Sequence, residues 1–260
     1  MCQLCLDATG THQVRGSHDA EPHIVGRRGL LKLGMVAGMA AAASLATAPA
    51  ARAKSDKKPV PKPENVMSPD AALERLMQGN ARYIDGVSRR HDFKHEREAL
   101  AGGQNPFAAI LSCADSRIAP EYCFDTARGD LFVCRIAGNF ASDEMIASLE
   151  YAVQVLNTPL IMVLGHEACG AVDATIKSVK DGTTLPGHLP SLITALKPAV
   201  DAVKNESGDM LANAIKRNVA LNVDRLKTTA PILKSFADDK KIRVVGGVYA
   251  LKTGRVELMS

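Results

Sequence analysis

The sequence predicts an α/β fold in which helices cover a central, mostly parallel β-sheet. Short, almost uninterrupted apolar runs alternate along the chain with longer stretches of helical periodicity. Strands that crossover helices bury on both faces produce this alternation. Hydrophobic residues make up 46% and charged residues 23% of the 260 residues, which is enough for one sizeable core. We therefore expect one domain with a sheet of four strands plus an edge strand, preceded by an N-terminal helical arm.

The first 53 residues are predicted to be an export leader that lies outside the fold. Arg27 and Arg28 precede a weakly apolar stretch over residues 33–51, and Ala51-Arg52-Ala53 has the small residues of a signal-peptidase site. A paired arginine before such a stretch resembles a Tat signal. The mature protein is then periplasmic or otherwise exported, with only transient membrane contact. A transmembrane anchor is the alternative interpretation.

The composition after the leader favours a small substrate. Residues 54–67 are charged and rich in proline, which predicts a disordered linker before a folded domain at 68–260. The whole chain has only 4% aromatic residues and no Trp, so an aromatic stacking platform for single-stranded nucleic acid is not expected. Its formal net charge of only +4 does not indicate a nucleic-acid partner either. Cys2 and Cys5 form an isolated C-x-x-C in the leader, which is a weak metal or redox signal.

The elements follow one another in an order that fits this fold. Ser68 is a good N-cap and Pro69 suits the first helical position, so a helix is expected from there to about Ile84. Apolar runs predict strands at residues 107–113, 131–136, 159–165 and 242–251, with a short edge strand at 255–259. Helical patterns predict further helices at residues 94–100, 142–156, 170–180, 189–203 and 208–228.

Potential metal ligands stand at the ends of two predicted strands. Cys113 ends the strand at 107–113, and His166 and Cys169 follow the strand at 159–165. The carboxyl ends of parallel strands meet at one edge of a sheet, so the three side chains can converge there. Two thiolates and an imidazole suit Zn²⁺ and leave a fourth position open, as in catalytic zinc sites that activate water near neutral pH.

Asp115 and Arg117 follow Cys113 closely and extend this interpretation. The planar guanidinium of Arg117 can hold the carboxylate of Asp115 ionised and turned toward a water molecule at the metal. An unpaired Asp115 could instead become a fourth ligand. Each feature alone has an ordinary explanation, because strand-end cysteines are often core residues and close Asp–Arg pairs are often surface ion pairs. Together they favour a metal site.

These residues resemble the motifs of the β-class carbonic anhydrases. The matching segments are CADSR at 113–117, GDLFV at 129–133, Arg135, AGN at 137–139, EYA at 150–152 and GHEACG at 165–170. The resemblance implies one zinc ion per subunit on Cys113, His166 and Cys169, with Asp115 and Arg117 as the catalytic dyad. It also implies reversible hydration of carbon dioxide to bicarbonate and a proton.

The resemblance further separates two subtypes. The plant-like subtype has a glutamine nine residues before the first zinc cysteine, which is Gln104 here, whereas the bicarbonate-regulated subtype has a tryptophan three residues before it, where this chain has Ile110. The plant-like assignment implies an accessible zinc with Asp115 held by Arg117. Further substrate-binding residues are implied at Phe132, Ala137, Tyr151 and Gly170. The family usually has a larger side chain where Ala137 stands.

Two alternative functions are compatible with the same residues. A hydrolase of a CO₂-like molecule such as carbon disulfide or carbonyl sulfide is one alternative, and a non-catalytic zinc-binding module is another. The resemblance implies at least a homodimer, in which N-terminal helices and Phe132 reach the partner. Candidate proton-shuttle residues are His91, His95 and His188. Cys123 and Cys134 are interpreted as core residues.

Overall fold

The structure is a computed structural model that describes residues 67–259. The predicted leader at 1–53, with its twin arginine and its C-x-x-C, and the predicted linker up to residue 66 lie outside the described residues. Within the described residues, no helix combines the length and the apolar character that crossing a membrane requires.

The described residues form eight helices and five strands. The helices are α1 (Pro69–Ile84), α2 (Phe93–Leu100), α3 (Pro120–Cys123), α4 (Asp143–Gln154), α5 (Gly170–Asp181), α6 (Leu189–Val203), α7 (Met210–Thr228) and α8 (Ile232–Asp238). The strands are β1 (Ala108–Ser112), β2 (Leu131–Arg135), β3 (Leu160–His166), β4 (Arg243–Tyr249) and β5 (Val256–Leu258).

The strands form one sheet in the order β2-β1-β3-β4-β5. Strands β1 to β4 are parallel, and β5 pairs antiparallel with β4 as an edge strand. The prediction of a mostly parallel sheet of four strands plus an edge strand is therefore confirmed. Ser112 at the end of β1 pairs with Arg135 of β2 and with Leu164 of β3, so these three strands end at nearly the same level.

Two hydrophobic layers enclose the sheet because successive residues of a strand point to opposite faces. On one face, Ala109 and Leu111 of β1 belong to a core cluster with residues of α4, α7 and α8. On the other, Ala108 and Ile110 belong to a cluster with α1 and α3. A third cluster lies at the carboxyl ends of the strands, where Cys113 packs among residues of α5, α6 and α7.

Helices α1 and α2 form the predicted N-terminal helical segment. The Ser68 hydroxyl caps α1 by accepting a hydrogen bond from the Ala71 N–H at 3.2 Å, as the sequence predicted. Leu73 and Leu76 of α1 are buried against the sheet of their own chain, whereas α2 contributes no buried residue. A contact between these helices and a second chain stays a prediction.

Helices α3 and α8 were not predicted as separate elements. They contain four and seven residues, fewer than the 11 or so over which helical periodicity can be recognised. The longer elements lie within a few residues of the predicted bounds, and α6 begins and ends where it was expected.

Candidate metal centre

Three side chains from two strand ends converge at the carboxyl edge of the sheet. Cys113 directly follows β1, His166 is the last residue of β3, and Cys169 is the N-cap of α5. One ligand atom from each of the three lies within 4.8 Å of the others. All three residues are buried, with 4% or less of their surface exposed. The convergence expected from the sequence is therefore present.

The spacing of the two sulfur atoms fits a shared zinc ion. Cys113 Sγ lies 4.0 Å from Cys169 Sγ. Two thiolates on a tetrahedral zinc with bonds of about 2.3 Å would be about 3.8 Å apart, whereas a disulfide would bring the sulfur atoms to about 2.05 Å. The cysteines are free thiols in this structure, and their separation is that of a ligand pair.

The His166 ring is oriented as a metal ligand. Its Nδ1 lies 2.8 Å from the Glu167 carbonyl oxygen, which can only accept a hydrogen bond, so the proton is on Nδ1 and Nε2 carries a lone pair. Nε2 is buried and has no hydrogen-bond partner among the described residues. A buried lone pair without a partner is costly unless a metal ion takes it.

The pKa values of the two neighbouring thiols are shifted in opposite directions. The pKa of Cys113 is lowered, first because the Cys169 thiol donates a hydrogen bond to it, and further because the Gly138 N–H donates to it at 3.3 Å. The pKa of Cys169 is raised because it holds that shared proton beside a thiolate and is desolvated by burial. A bound cation would replace this proton and let both sulfurs ionise.

Asp115 and Arg117 form the expected pair at the rim of the centre. Arg117 donates from Nε to Asp115 Oδ1 at 2.9 Å and from Nη2 to Oδ2 at 2.7 Å, and its backbone N–H donates to Oδ1 at 2.9 Å. These hydrogen bonds lower the pKa of Asp115 to about 2. The carboxylate is therefore ionised while Arg117 holds it. Its Oδ2 lies 3.9 Å from His166 Nε2, which places it close to the metal ligands.

Arg135 holds the loop that carries Cys113 and Asp115, a role that the sequence analysis missed. From the end of β2, its guanidinium donates to the carbonyl oxygens of Cys113 at 3.0 Å, Asp115 at 2.7 Å and Ile118 at 2.9 Å. Because one guanidinium binds all three carbonyl groups, it fixes the backbone from Cys113 through Asp115 to Ile118. The sequence did place Arg135 at the end of a strand. It could not show that its guanidinium binds these carbonyl groups, because that depends on tertiary contacts.

The second ligand loop is fixed from the neighbouring strand. The Glu167 N–H donates to the Tyr249 carbonyl at 3.0 Å, and the Glu167 carboxylate accepts from the Leu251 N–H at 3.0 Å. Arg117 also reaches this loop, donating to the Ala168 carbonyl at 3.2 Å. The dyad arginine therefore contacts both ligand loops, which couples the position of Asp115 to that of Cys169.

The five predicted substrate-binding residues fall into two groups. The first group lies beside the ligands. Ala137 precedes Gly138, whose N–H contacts Cys113. Gly170 follows Cys169, and no atom lies within 4 Å of the position that a Cβ would take there. The other group comprises Gln104, Phe132 and Tyr151.

This second group lies toward the other end of the sheet. Gln104 is exposed in the loop before β1, and a strand of that length spans about 17 Å. Phe132 pairs with Ala109 near the start of β1, and its ring centroid lies 6.3 Å from that of Tyr151. Within one chain, the structure does not bring this group to the metal ligands.

The candidate proton-shuttle histidines lie on peripheral segments. His91 and His95 contact Glu96 and Asp92 within the α2 region, and His188 is exposed at the start of α6. A shuttle role for any of them stays a prediction.

The two other cysteines of the described chain lie in the core, as predicted. Cys123 and Cys134 are 1% and 7% exposed. Burial raises the pKa of each to about 11, so both stay neutral thiols at neutral pH.

Comparisons with known proteins agree on one family. Residues 108–256 match the family model described as carbonic anhydrase. Carbonic anhydrase 2 of Mycobacterium tuberculosis is 36% identical over 192 residues, which are 74% of this chain and 93% of that protein. The carbonic anhydrase of Mycolicibacterium smegmatis is 34% identical over 194 residues, 74% of this chain and 94% of that protein. The structure of the β-carbonic anhydrase CcaA covers 72% of this chain and 95% of its own, with 28% identity and a TM-score of 0.56.

Proposed function

The chain belongs to the carbonic anhydrase family, in its β-class, and from this we propose that it is a plant-like member that works with Asp115 held away from the metal. It is a zinc enzyme that catalyses the reversible hydration of carbon dioxide. The observation that supports the proposed working form is the double hydrogen bond between Arg117 and Asp115 beside the three convergent ligands. Hydrolysis of a CO₂-like molecule and non-catalytic zinc storage are not favoured, because the relatives are named carbonic anhydrases.

Cys113, His166 and Cys169 would hold the zinc ion, because one ligand atom from each lies within 4.8 Å of the others. Bound zinc lowers the pKa of coordinated water to about 7 and so supplies a nucleophile at neutral pH. Two thiolates would balance the charge of the cation, and the neutral imidazole would complete a set of three protein ligands. A set of three leaves one position accessible, which is typical of catalytic rather than structural zinc.

Asp115 is proposed to orient the nucleophile. With its pKa lowered to about 2 by Arg117, the carboxylate is ionised throughout the physiological range and can only accept hydrogen bonds. Its Oδ2 is close enough to the ligands, at 3.9 Å from His166 Nε2, to accept a hydrogen bond from a reacting water molecule and turn a lone pair toward carbon dioxide. Arg117 keeps this carboxylate from becoming a fourth ligand.

Substrate contacts are proposed to come from two chains. Ala137 and Gly170 lie beside the ligands of their own chain. Gln104 lies before β1, which spans about 17 Å, and Phe132 pairs near the start of that strand with the Tyr151 ring beside it. We therefore place these three residues at the site of a partner chain. The resulting enzyme is a homodimer or a larger homo-oligomer. There, the Gln104 amide would donate a hydrogen bond to the developing bicarbonate oxygen.

The proposed working form is tested by stopped-flow CO₂ hydration on the zinc-loaded full chain and its Asp115→Ala variant. We expect the variant to keep one equivalent of zinc and to lose activity by about 10²-fold or more, because it loses a group that orients the reacting water. Cys169→Ser is the matched control, which should lose both zinc and activity. An Asp115→Ala protein with full activity would contradict the proposed dyad.

Residues 1–53 are proposed to be a Tat-type export leader that places the enzyme in the periplasm. The support is the pair Arg27–Arg28 before a weakly apolar stretch and the Ala-Arg-Ala triplet at its end. Replacing both arginines by lysine should leave the full-length protein in the cytoplasmic fraction, with no shortened periplasmic form. Export of that variant at the normal level would contradict the assignment.

A further inference from the structure

Helix α7 carries two asparagines on the face that it buries. Asn218 and Asn222 are four residues apart, which places them on the same side of the helix, and they are 2% and 7% exposed. Their neighbours on this face are apolar, among them Ile215 and Val219. Asparagine is a poor helix former, and a buried amide is costly unless its hydrogen bonds are made. Both side-chain amides are therefore expected to make hydrogen bonds within the protein.

The two amides form a chain of hydrogen bonds that begins and ends on the loop after β2. Asn218 Nδ2 donates to the Gly138 carbonyl at 2.8 Å. Asn222 Nδ2 donates to the Asn218 carbonyl at 2.8 Å and to Asn218 Oδ1 at 3.0 Å. Asn222 Oδ1 accepts from the Ala141 N–H at 2.7 Å. Helix α7 thus holds both ends of the segment at 138–141.

Gly138 is the residue that connects this segment to the metal centre. Its N–H donates to Cys113 Sγ at 3.3 Å. Its φ is +86°, and a Cβ there would come within 2.7 Å of Leu196 Cδ1, so a larger residue would be strained and would displace the Leu196 side chain. Gly138 is fixed between Leu196 of α6 on one side and Asn218 of α7 at its carbonyl. The direction of its N–H therefore depends on both helices.

We propose that Asn218 and Asn222 are positioning residues of the zinc centre, which act through Gly138 on Cys113. The two sulfurs lie 4.0 Å apart and both carry negative charge when zinc is bound. A backbone N–H aimed at one of them offsets part of that charge and fixes where the sulfur points. Outer groups that orient metal ligands typically change metal affinity or activity by about 10- to 100-fold when they are removed.

The experiment measures zinc affinity by chelator competition and records the visible spectrum of the Co²⁺-substituted full chain, whose sulfur-to-metal charge-transfer bands report on the thiolates. For Asn218→Ala we expect about 10-fold weaker zinc binding and a shifted charge-transfer band. Asn222→Ala removes only the outer link of the chain and is expected to give a smaller change in the same direction. Neither readout depends on CO₂ hydration, so the result is independent of the roles proposed for Asp115 and Gln104.

Asn80 provides a matched control. It is also 2% exposed, donates to the carbonyls of Cys123 and Gly254, and accepts from the Val256 N–H, all outside the metal centre. Asn80→Ala should lower the thermal midpoint while the zinc affinity and the Co²⁺ spectrum stay as in the unchanged protein. The proposal is overturned if folded Asn218→Ala binds zinc normally, or if Asn80→Ala weakens zinc equally. It is also overturned if both α7 variants fail to fold while Asn80→Ala folds.

Discussion

At the carboxyl end of the parallel sheet, one chain brings its predicted site residues together, whereas toward the amino end it does not. At the carboxyl end, Cys113, His166 and Cys169 lie within 4.8 Å of one another, and hydrogen bonds fix the loops that carry them. Toward the amino end, Gln104 is exposed, and Phe132 and Tyr151 contact each other. Folding of a single chain therefore brings the metal ligands together, whereas the proposed substrate pocket takes residues from a second chain.

Exposure of side chains supports this contrast. The zinc ligands are 4% exposed or less, but Tyr151 is 47% and Val155 55% exposed near the end of α4 that leads into β3. Large apolar side chains that remain exposed together often mark a contact with another protein. In the proposed homo-oligomer, a second copy of the chain would cover this surface, and a symmetric contact would cover the same surface of that copy.

The strongest test of this contrast mixes two inactive chains. Gln104→Ala keeps the zinc ligands but should lose about 10²-fold in activity, since it lacks a donor to the developing oxygen charge. Cys169→Ser keeps Gln104 but cannot hold zinc. If Gln104 acts on the partner, an equal mixture of randomly assorted dimers contains native combinations at about one quarter of its sites. Stopped-flow CO₂ hydration should then recover to about a quarter of the unmodified activity.

Two variants that damage the same site provide the control for this mixture. Cys169→Ser and Asp115→Ala both affect the carboxyl end, so no combination of their chains restores a native site, and the mixture should stay inactive. If Gln104 acted within its own chain, the first mixture would stay at about half the residual activity of Gln104→Ala. That outcome, or a monomer in sedimentation analysis, would show that the two ends do not need a second chain.

The sequence predicted the sheet well because parallel strands leave a strong signal. Strand β1 was expected at 107–113 and spans Ala108–Ser112. All five of its residues are buried, and the first four form an uninterrupted apolar run. Helices as short as α3 and α8 give no such signal, because their one or two turns contain too few residues to show a period. Their positions depend on packing against the rest of the fold.

Prediction of the site had a similar limit. Cys113, His166 and Cys169 could be identified because strand ends of a parallel sheet share one edge. Arg135 and Gly138 act through backbone groups that tertiary packing brings together, and no spacing along the chain encodes such contacts. The asparagines at 218 and 222 did leave a trace, because two amides four residues apart on an apolar helix face indicate a buried polar pair.

Cysteine use shows the same contrast between a site prepared for chemistry and a surrounding core. Cys113 has a lowered pKa beside its partner thiol. Cys123 in α3 and Cys134 in β2 have pKa values raised to about 11 because burial disfavours the thiolate. Cys113 shares a proton with the Cys169 thiol beside it, whereas Cys123 and Cys134 lie apart from the metal centre and stay neutral in the core.

Replacing both core cysteines by alanine should therefore have the smallest effect. We expect zinc content and CO₂ hydration to stay within about twofold, with a loss in unfolding free energy of about 1 kcal/mol per site. Because burial raises the pKa of each thiol to about 11 from an ordinary value of about 9, these thiols stabilise the fold fully below pH 9 and less as the pH rises toward 11. The difference in unfolding free energy between the unmodified protein and the variant, measured by denaturant titration, should therefore narrow between pH 7 and about pH 10.5. A difference that widens would mean that these thiols ionise more easily in the folded chain, and that they resemble Cys113 rather than the core.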